Sequence, residues 1–136
     1  MTDFSIVRNR LPPNIQANEY IVCPPGVCPN AQVIKSPSYN VDINTLEKTI
    51  DKIILSSDLR TQLINEDKST NRREYVQRMR FLNWPDVITV QLFGDDKKGT
   101  STFAMHSYSI YGGSDLGVNR DRVRTWINKI DKELNQ

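Results

Sequence analysis

The sequence predicts an α+β domain in which two helices pack on one face of a single twisted antiparallel sheet of about four to five strands. Two segments carry apolar residues at the spacing of a helix, and the segments between them alternate or are rich in β-branched residues. The order along the chain is strand, helix, several strands, helix. Elements in this order form two layers, with both helices on the same face of the sheet.

Residues 1–37 are predicted to form an extended arm, and residues 38–136 the single α+β domain. The arm holds six of the seven prolines and follows neither the helical nor the strand period. A long irregular segment of this kind lies over the body of a protein or frays at its end.

The first helix is predicted over Asn44 to Ser57, after a short strand over Val41 to Ile43. Apolar residues recur at helical spacing along it, and Asn44 and Glu47 stand three positions apart, as in a capping box. This is the clearest local pattern in the chain.

Four strands are predicted next, separated by polar or glycine-containing turns. Their expected bounds are Thr61 to Asn65, Arg73 to Leu82, Val87 to Phe93 and Thr100 to Tyr111. In the second, apolar and charged residues alternate, so one of its faces is expected to be wet. In the fourth, alternation places His106 on the opposite face from Ser107 and Ser109. A helix from Asn119 to Leu134, capped by Asn119, ends the fold.

The composition excludes several classes of protein. The 136 residues suit one domain, and 38% hydrophobic and 25% charged residues are globular proportions. The net charge of +2 does not indicate a nucleic-acid or membrane partner. No apolar run reaches the roughly 18 residues of a membrane span, and the start of the chain lacks the pattern of a secretory signal. A cytoplasmic protein without a membrane span is therefore expected.

The two cysteines, Cys23 and Cys28, are expected to be reduced thiols if the protein is cytoplasmic. A disulfide is the alternative, because Gly26 between them permits a tight turn. One histidine and two cysteines are too few for a closed zinc site, so neither a metal nor a cofactor is expected.

The junction between the fourth of these strands and the last helix is the strongest candidate binding site. Arg120 and Arg122 lie in the first turn of the helix, where exposed N–H groups already carry partial positive charge. Either aspartates pair with these arginines inside the protein, or a phosphate, sulfate or carboxylate binds them from outside. The candidate ligand-binding residues are Ser107, Ser109, Gly113, Ser114, Asp115, Asn119, Arg120 and Arg122.

The stretch from Ser114 to Arg122, Ser-Asp-Leu-Gly-Val-Asn-Arg-Asp-Arg, closely resembles the C-terminal signature of domain of unknown function family 1499. Cys23-Pro24 and Trp84-Pro85-Asp86 are similar to two further parts of the family pattern. The resemblance covers roughly Cys23 to the end of the last helix. It implies the domain and no established activity.

A binding or interaction module is the predicted function, with a small anion, an acidic group or a protein as the partner and with no catalytic residues. The first alternative is a hydrolase-like enzyme at the same junction, which requires a nucleophile within hydrogen-bond distance of His106 in a closed cleft. The second is weak binding of nucleic acid or an acidic protein by the strand from Arg72 to Arg80. Alternation separates its charged side chains from its aromatic ones, so nucleic acid is not the expected partner.

Overall fold

The structure is a computed structural model that describes residues 1–6, 18–29, 34–79, 82–110 and 116–135. The strands are β1 Glu19–Cys23, β2 Ile34–Lys35, β3 Ser38–Tyr39, β4 Thr61–Asp67, β5 Arg72–Arg78, β6 Pro85–Asp95 and β7 Thr100–Ser109. The helices are α1 Ile43–Ser57 and α2 Val118–Leu134, and a short 3-10 turn spans Phe4–Ile6.

The described strands form one sheet in the order β2, β1, β7, β6, β5, β4, with β3 also pairing with β7. The β1–β2 pair is parallel, whereas the other pairs are antiparallel. The α+β class with two helices is confirmed. The sheet prediction was wrong in two respects: the described residues form seven strands rather than four to five, and the sheet is mixed rather than wholly antiparallel.

Strand β1 lies in the segment that was expected to be irregular. All five of its residues are buried, and it pairs with β7 from Glu19 opposite Tyr108 to Val22 opposite Met105. A strand that is buried on both faces loses the alternation by which strands are recognised. The prolines around this segment favoured the prediction of an irregular arm, although a short run of β-forming residues lies between them.

Helix α1 begins one residue earlier than predicted and is capped by a different residue. The Asp42 carboxylate accepts a hydrogen bond from the Thr45 backbone N–H at 2.7 Å, so Asp42 is the N-cap. The capping box at Asn44 was therefore wrong, and so was the short strand at residues 41–43, because the strand before α1 is β3.

Both helices pack on the same face of the sheet and enclose the main apolar core. Each helix contributes one stripe of apolar side chains, and the sheet contributes the residues that alternate toward it. Fully or almost fully buried members are Leu46, Ile50, Ile54, Ile88, Val90, Leu92, Phe103, Met105, Val123, Trp126 and Ile130. Each of the larger ones stabilises the fold by roughly 1.5 to 3 kcal/mol relative to exposure.

The other face of the sheet is covered in part by the first residues of the chain. The Phe4 ring is completely buried against Ile21, Cys23 and Ala104. Cys23 forms a disulfide with Cys28 beside this second cluster. The expectation of reduced thiols was thus wrong, because the turn between the two cysteines brings their sulfur atoms together.

Candidate functional site

Several connections between strands and helices lie at one end of the sheet, near the predicted junction between β7 and α2. Arg78 of β5 pairs with Pro85 of β6, and Asp86 of β6 pairs with Ser109 of β7. The Arg78 backbone N–H also donates to the carbonyl of Arg60, which places the α1–β4 connection at the same end. We call this the junction end. It comprises the α1–β4 connection, the β5–β6 turn, the end of β7 and the start of α2.

A buried ion pair lies beneath the junction end. Arg122 Nη2 lies 2.7 Å from Asp86 Oδ2, and the two side chains are only 9% and 1% exposed. The same guanidinium donates from Nε to Gln77 Oε1 at 3.0 Å and from Nη1 to Asn119 Oδ1 at 2.9 Å. The charge of Arg122 is therefore already neutralised within the protein. This agrees with the first alternative in the sequence analysis, in which aspartates pair with the arginines of α2.

Asn119 connects this ion pair to Ser107 and Ser109 of β7. Its amide oxygen accepts from Ser107 Oγ at 2.6 Å, and its amide nitrogen donates to Ser109 Oγ at 2.9 Å and to the Asn18 carbonyl at 3.0 Å. The side chain is fully buried. The N-cap of α2 is instead Gly117, which has a φ of 83° and makes no side-chain cap bond, so the cap assigned to Asn119 was wrong.

The predicted ligand-binding residues thus separate into three groups. Ser107, Ser109, Asn119 and Arg122 come together, but in a buried network rather than in an open site. Arg120 is about half-exposed and donates from Nε to Asp121 Oδ1 at 3.1 Å. Residues 113 to 115, predicted as Gly113, Ser114 and Asp115 of the site, lie outside the described residues.

One atom of the network remains unsatisfied. Asp86 Oδ1 is buried and has no hydrogen-bond partner among the described residues. A buried acceptor left in this way costs roughly 1 to 3 kcal/mol. The Asp86 carboxylate therefore depends on Arg122 for its compensation, which makes the pair difficult to open.

His106 faces away from the junction, as its position in β7 predicted. Its Nε2 lies 2.8 Å from Glu19 Oε2, and its Nδ1 lies 2.7 Å from Thr2 Oγ1. The ring also stacks on Tyr108, with 4.5 Å between ring centroids. Ser107 and Ser109 are thus on the opposite face of the sheet from His106. The histidine therefore cannot act as a base for either of these serines at the junction.

The arginines of β5 are mostly engaged within the protein. Arg73 is buried beneath α1 and pairs with Glu47, Asp51 and Glu66 at 3.2, 2.8 and 3.0 Å. Burial opposes its charge, but hydrogen bonds to Tyr75 and Asp51 raise the pKa of the guanidinium overall. Arg73 thus lies on the face of Tyr75, which alternation predicted to be apolar, whereas Arg78 on the predicted wet face is exposed.

Two pockets lie away from the junction end. One of about 160 Å³ opens beside the ion pairs of Arg73. The other, of about 400 Å³, opens beside the first residues of the chain. The lining of the larger pocket consists of Asp3, Ser5, Val27, Thr70, Arg72, Gln91 and Phe93. Neither pocket includes a described residue of the ligand site predicted at the junction, but Arg72, which begins the alternative binding strand, lines both.

A group of exposed apolar side chains was missed by the sequence analysis. Of the eight large apolar side chains most exposed among the described residues, five lie in the connections of the junction end. They are Leu59, Leu82, Trp84, Ile110 and Leu116. Large apolar residues inside turns were the available signal, but their exposure depends on which connections share one end of the sheet.

Neither a metal site nor a membrane-crossing helix was found in the described part of the chain. No three histidine, cysteine, aspartate or glutamate side chains in the described ranges are grouped as ligands of a metal ion. No helix within those ranges combines the length and apolarity needed to cross a bilayer.

The fold and the site define an α+β protein in which a buried polar network supports a partly apolar end surface. A family model described as "Protein of unknown function (DUF1499)" matches residues 13–130, and the chain belongs to this family. No curated protein matches the chain. A crystal structure of Ara h 8.0201 is similar at a TM-score of 0.47 and 12% identity, over 74% of this chain and 94% of that chain.

Proposed function

We propose that this protein is a binding or interaction module whose recognition surface is the junction end. The observation that carries the proposal is the concentration of exposed apolar side chains at this end. Isolated exposed apolar residues are ordinary on a protein surface, but grouped ones mark interaction sites. The buried network of Arg122 and Asn119 supports this surface by joining α2 to β6 and β7.

We further propose that an acidic group or small anion contacts Arg120 on this surface. Arg122 cannot serve, because removing it from Asp86 would leave a buried carboxylate unpaired. Among the ion pairs of the described residues, Arg120 pairs with Asp121 in an exposed bridge, and exposed bridges contribute roughly 0 to 1 kcal/mol. A ligand carboxylate or phosphate can replace Asp121 at little cost.

Titration of the isotope-labelled protein with inorganic phosphate and with acetate tests this contact. We expect saturable amide chemical-shift changes around residues 116–122, and their loss in Arg120→Gln. Arg124→Gln is the matched control, since Arg124 lies one turn further along α2, with its guanidinium 5.9 Å from the centre of the Tyr20 ring. An Arg120→Gln protein that titrates like the wild type would contradict the role of Arg120.

A second candidate function is hydrolysis, and one group of side chains favours it. The Thr2 hydroxyl, the His106 imidazole and the Glu19 carboxylate lie in series at 2.7 and 2.8 Å, which is the order of nucleophile, base and orienting group. This group lies on the opposite face from the junction. Assay with activated esters tests it: turnover that disappears in both Thr2→Val and His106→Gln would support catalysis, and an inactive wild type would exclude this activity.

The binding of nucleic acid or an acidic protein by the segment from Arg72 to Arg80 is the weakest of the three candidates. The Arg73 charge is compensated by three carboxylates, and Arg72 donates to the Thr2 carbonyl at 3.2 Å. Only Arg78 among the described arginines of β5 is exposed. Nucleic-acid binding would fall steeply with added salt. Absence of binding to a single-stranded oligonucleotide at low salt would remove this candidate.

The disulfide is relevant to the cellular compartment in which the protein binds its partner. Disulfides persist in oxidising compartments and are rare in the cytosol. The Cys23–Cys28 bond therefore does not support the expected cytoplasmic location, which stays a prediction. Thiol titration of the protein, trapped with an alkylating reagent at the moment of cell lysis, measures the redox state directly.

A further inference from the structure

We infer that the junction end docks on the surface of an anionic lipid bilayer, an inference that rests on the proposed function of this end. The exposed apolar side chains come from separate connections. Leu59 lies between α1 and β4, and Leu82 and Trp84 lie between β5 and β6. Ile110 and Leu116 lie near the two ends of the β7–α2 connection. Strand pairs join the ends of β5, β6 and β7 from which the described parts of these connections extend, and the Arg78 N–H joins β5 to Arg60 before β4.

The form of this surface favours a fluid partner over a rigid one. The energetic centre of a protein interface is usually a well-packed pocket that receives an anchor residue. Side chains on separate connections can instead enter the boundary between lipid headgroups and acyl chains, where binding grows with the apolar area that is buried.

The backbone of the junction end holds two of the leucines in a strained conformation. Four described residues other than glycine have positive φ, and three of them lie here: Leu82 at 62°, Asn83 at 54° and Leu116 at 55°. The left-handed region is rarely occupied by leucine, and such conformations concentrate at functional sites. Leu82 and Leu116 are both exposed, so burial of their side chains in the free protein does not account for this strain.

Basic side chains accompany the apolar ones and select the sign of the lipid charge. Arg60, Arg78 and Arg120 belong to the junction end, where Asp58 pairs with Arg60 and Asp121 pairs with Arg120. Arg78 donates to the Asn83 carbonyl at 3.2 Å and forms no ion pair with another described residue. Its charge is available to a lipid phosphate, and arginine near an anionic membrane surface adds to attraction.

The two tryptophans provide an intrinsic readout of docking. Trp84 is 41% exposed at the junction end, whereas Trp126 is 2% exposed in the core. Tryptophan is enriched where protein meets the headgroup region of a bilayer. With vesicles of phosphatidylcholine and phosphatidylglycerol, we expect the tryptophan emission of the full chain to shift to shorter wavelength. The shift should disappear in Trp84→Phe and be much smaller with phosphatidylcholine alone.

Matched variants test which side chains bind the vesicles. Ile110 at the junction end and Ile64 in β4 are both 52% exposed, so Ile110→Ser and Ile64→Ser remove the same side chain at equal exposure. In vesicle co-sedimentation we expect Ile110→Ser to weaken binding by about tenfold and Ile64→Ser to leave it unchanged. Arg78→Gln should weaken binding to anionic vesicles only, whereas Lys97→Gln, in the β6–β7 turn at the opposite end, should not.

Several results would overturn the inference. These are no binding to anionic vesicles, equal losses in Ile110→Ser and Ile64→Ser, or a self-association that Ile110→Ser abolishes, since that would make a second copy of the chain the partner. If phosphate or acetate binds at Arg120 while vesicles do not bind, lipid docking fails and the proposed recognition surface stands. If vesicles bind while Arg120→Gln has no effect on the small anions, lipid docking stands and the anion contact fails.

Discussion

The Arg122–Asp86 pair decides between the two interpretations of the junction. An external anion at Arg122 would have to displace Asp86, whose other carboxylate oxygen is already unsatisfied. Leaving a charge buried and unpaired costs several kcal/mol, which exceeds what a weakly bound phosphate or carboxylate returns. The pair is therefore structural. Arg120, which is two positions away and about half-exposed, is the arginine to which we propose that a ligand binds.

Asp86→Ala should reduce the free energy of unfolding by about 3 to 5 kcal/mol, because it leaves the Arg122 guanidinium buried without its counter-ion. Urea denaturation of the single variants and of Asp86→Ala/Arg122→Met measures this. In the double variant neither charge remains, so its loss should be clearly smaller than the sum of the single losses. Additive losses would mean that the two charges are not coupled.

Asn119→Ala should reduce the free energy of unfolding by about 2 to 4 kcal/mol. Arg122 still donates to Ser107 Oγ, and the Ser109 backbone N–H still donates to the Asn18 carbonyl. The buried Ser107 and Ser109 hydroxyls nevertheless each lose a hydrogen bond to the amide, and the loss of a partner by a buried polar group costs roughly 1 to 3 kcal/mol. The loss of a helix cap would cost only about 1 kcal/mol. Thermal and urea unfolding distinguish the two magnitudes, and Asn119→Asp, which keeps an acceptor for Ser107, is the control.

At the level of elements, the two helices begin in different ways. Helix α1 begins with a local side-chain cap, Asp42 to Thr45, which can form without the rest of the fold. Helix α2 begins after Gly117 in a left-handed conformation, and its first turn is attached to β7 through Asn119. The first turn of α2 is thus attached to the sheet by a side chain of its own, whereas the N-cap bond of α1 is made between residues three positions apart in the sequence.

The cap of α1 should make stability depend on acid pH. Hydrogen bonds from Thr45 lower the pKa of Asp42 below its usual 3.8. A carboxyl whose pKa is lower in the folded state contributes stability above its unfolded pKa, and this contribution is lost as the pH falls through the folded pKa. Asp42→Asn keeps an acceptor without the charge, so its melting temperature should fall less than that of the wild type in this acid range.

If the melting temperatures of Asp42→Asn and the wild type fall equally below pH 3.8, the Asp42 carboxylate is not the cause of the loss of stability in acid. Asp42→Ala, which removes the acceptor altogether, should lower the melting temperature by a few degrees at neutral pH. Asn44→Ala is the matched control, because the predicted capping box would place the larger effect there.

At the scale of the whole molecule, the sheet is covered on both faces by different means. The two helices cover one face, and residues 1–6 with the disulfide-bonded turn cover part of the other. Phe4 is the buried apolar side chain that residues 1–6 contribute to this second face. The Thr2 hydroxyl forms a hydrogen bond with His106 on the same face. The first residues are thus part of the folded structure rather than an appendage to it.

Phe4→Ala should reduce the free energy of unfolding by about 3 to 5 kcal/mol if the first residues stay docked. If they detach, the loss is limited to the free energy of docking, and amide exchange of β1 should accelerate. Phe4→Leu, which refills much of the volume, should recover most of the loss. Unchanged unfolding and exchange in Phe4→Ala would show that this ring contributes nothing to the cover.

The elements with a clear period were predicted well, and those without one were not. Helix α1 and strands β4 to β7 lie within a few residues of their predicted positions. The missed strands β1, β2 and β3 are short, and β1 is buried throughout. Four of the predicted site residues do meet, but their burial against Asp86 depends on strand pairing across long sequence separations.

The sequence by itself determined the α+β class, the long helices and strands, the orientation of His106 away from the serines, and the resemblance to the family. These properties follow from local periodicity and from a contiguous motif. Only the tertiary structure decided that Arg122 is neutralised, that Asn119 is a buried connector, and which apolar turns share one end. The reason is physical: burial and charge compensation depend on neighbours that the fold brings together from distant parts of the chain.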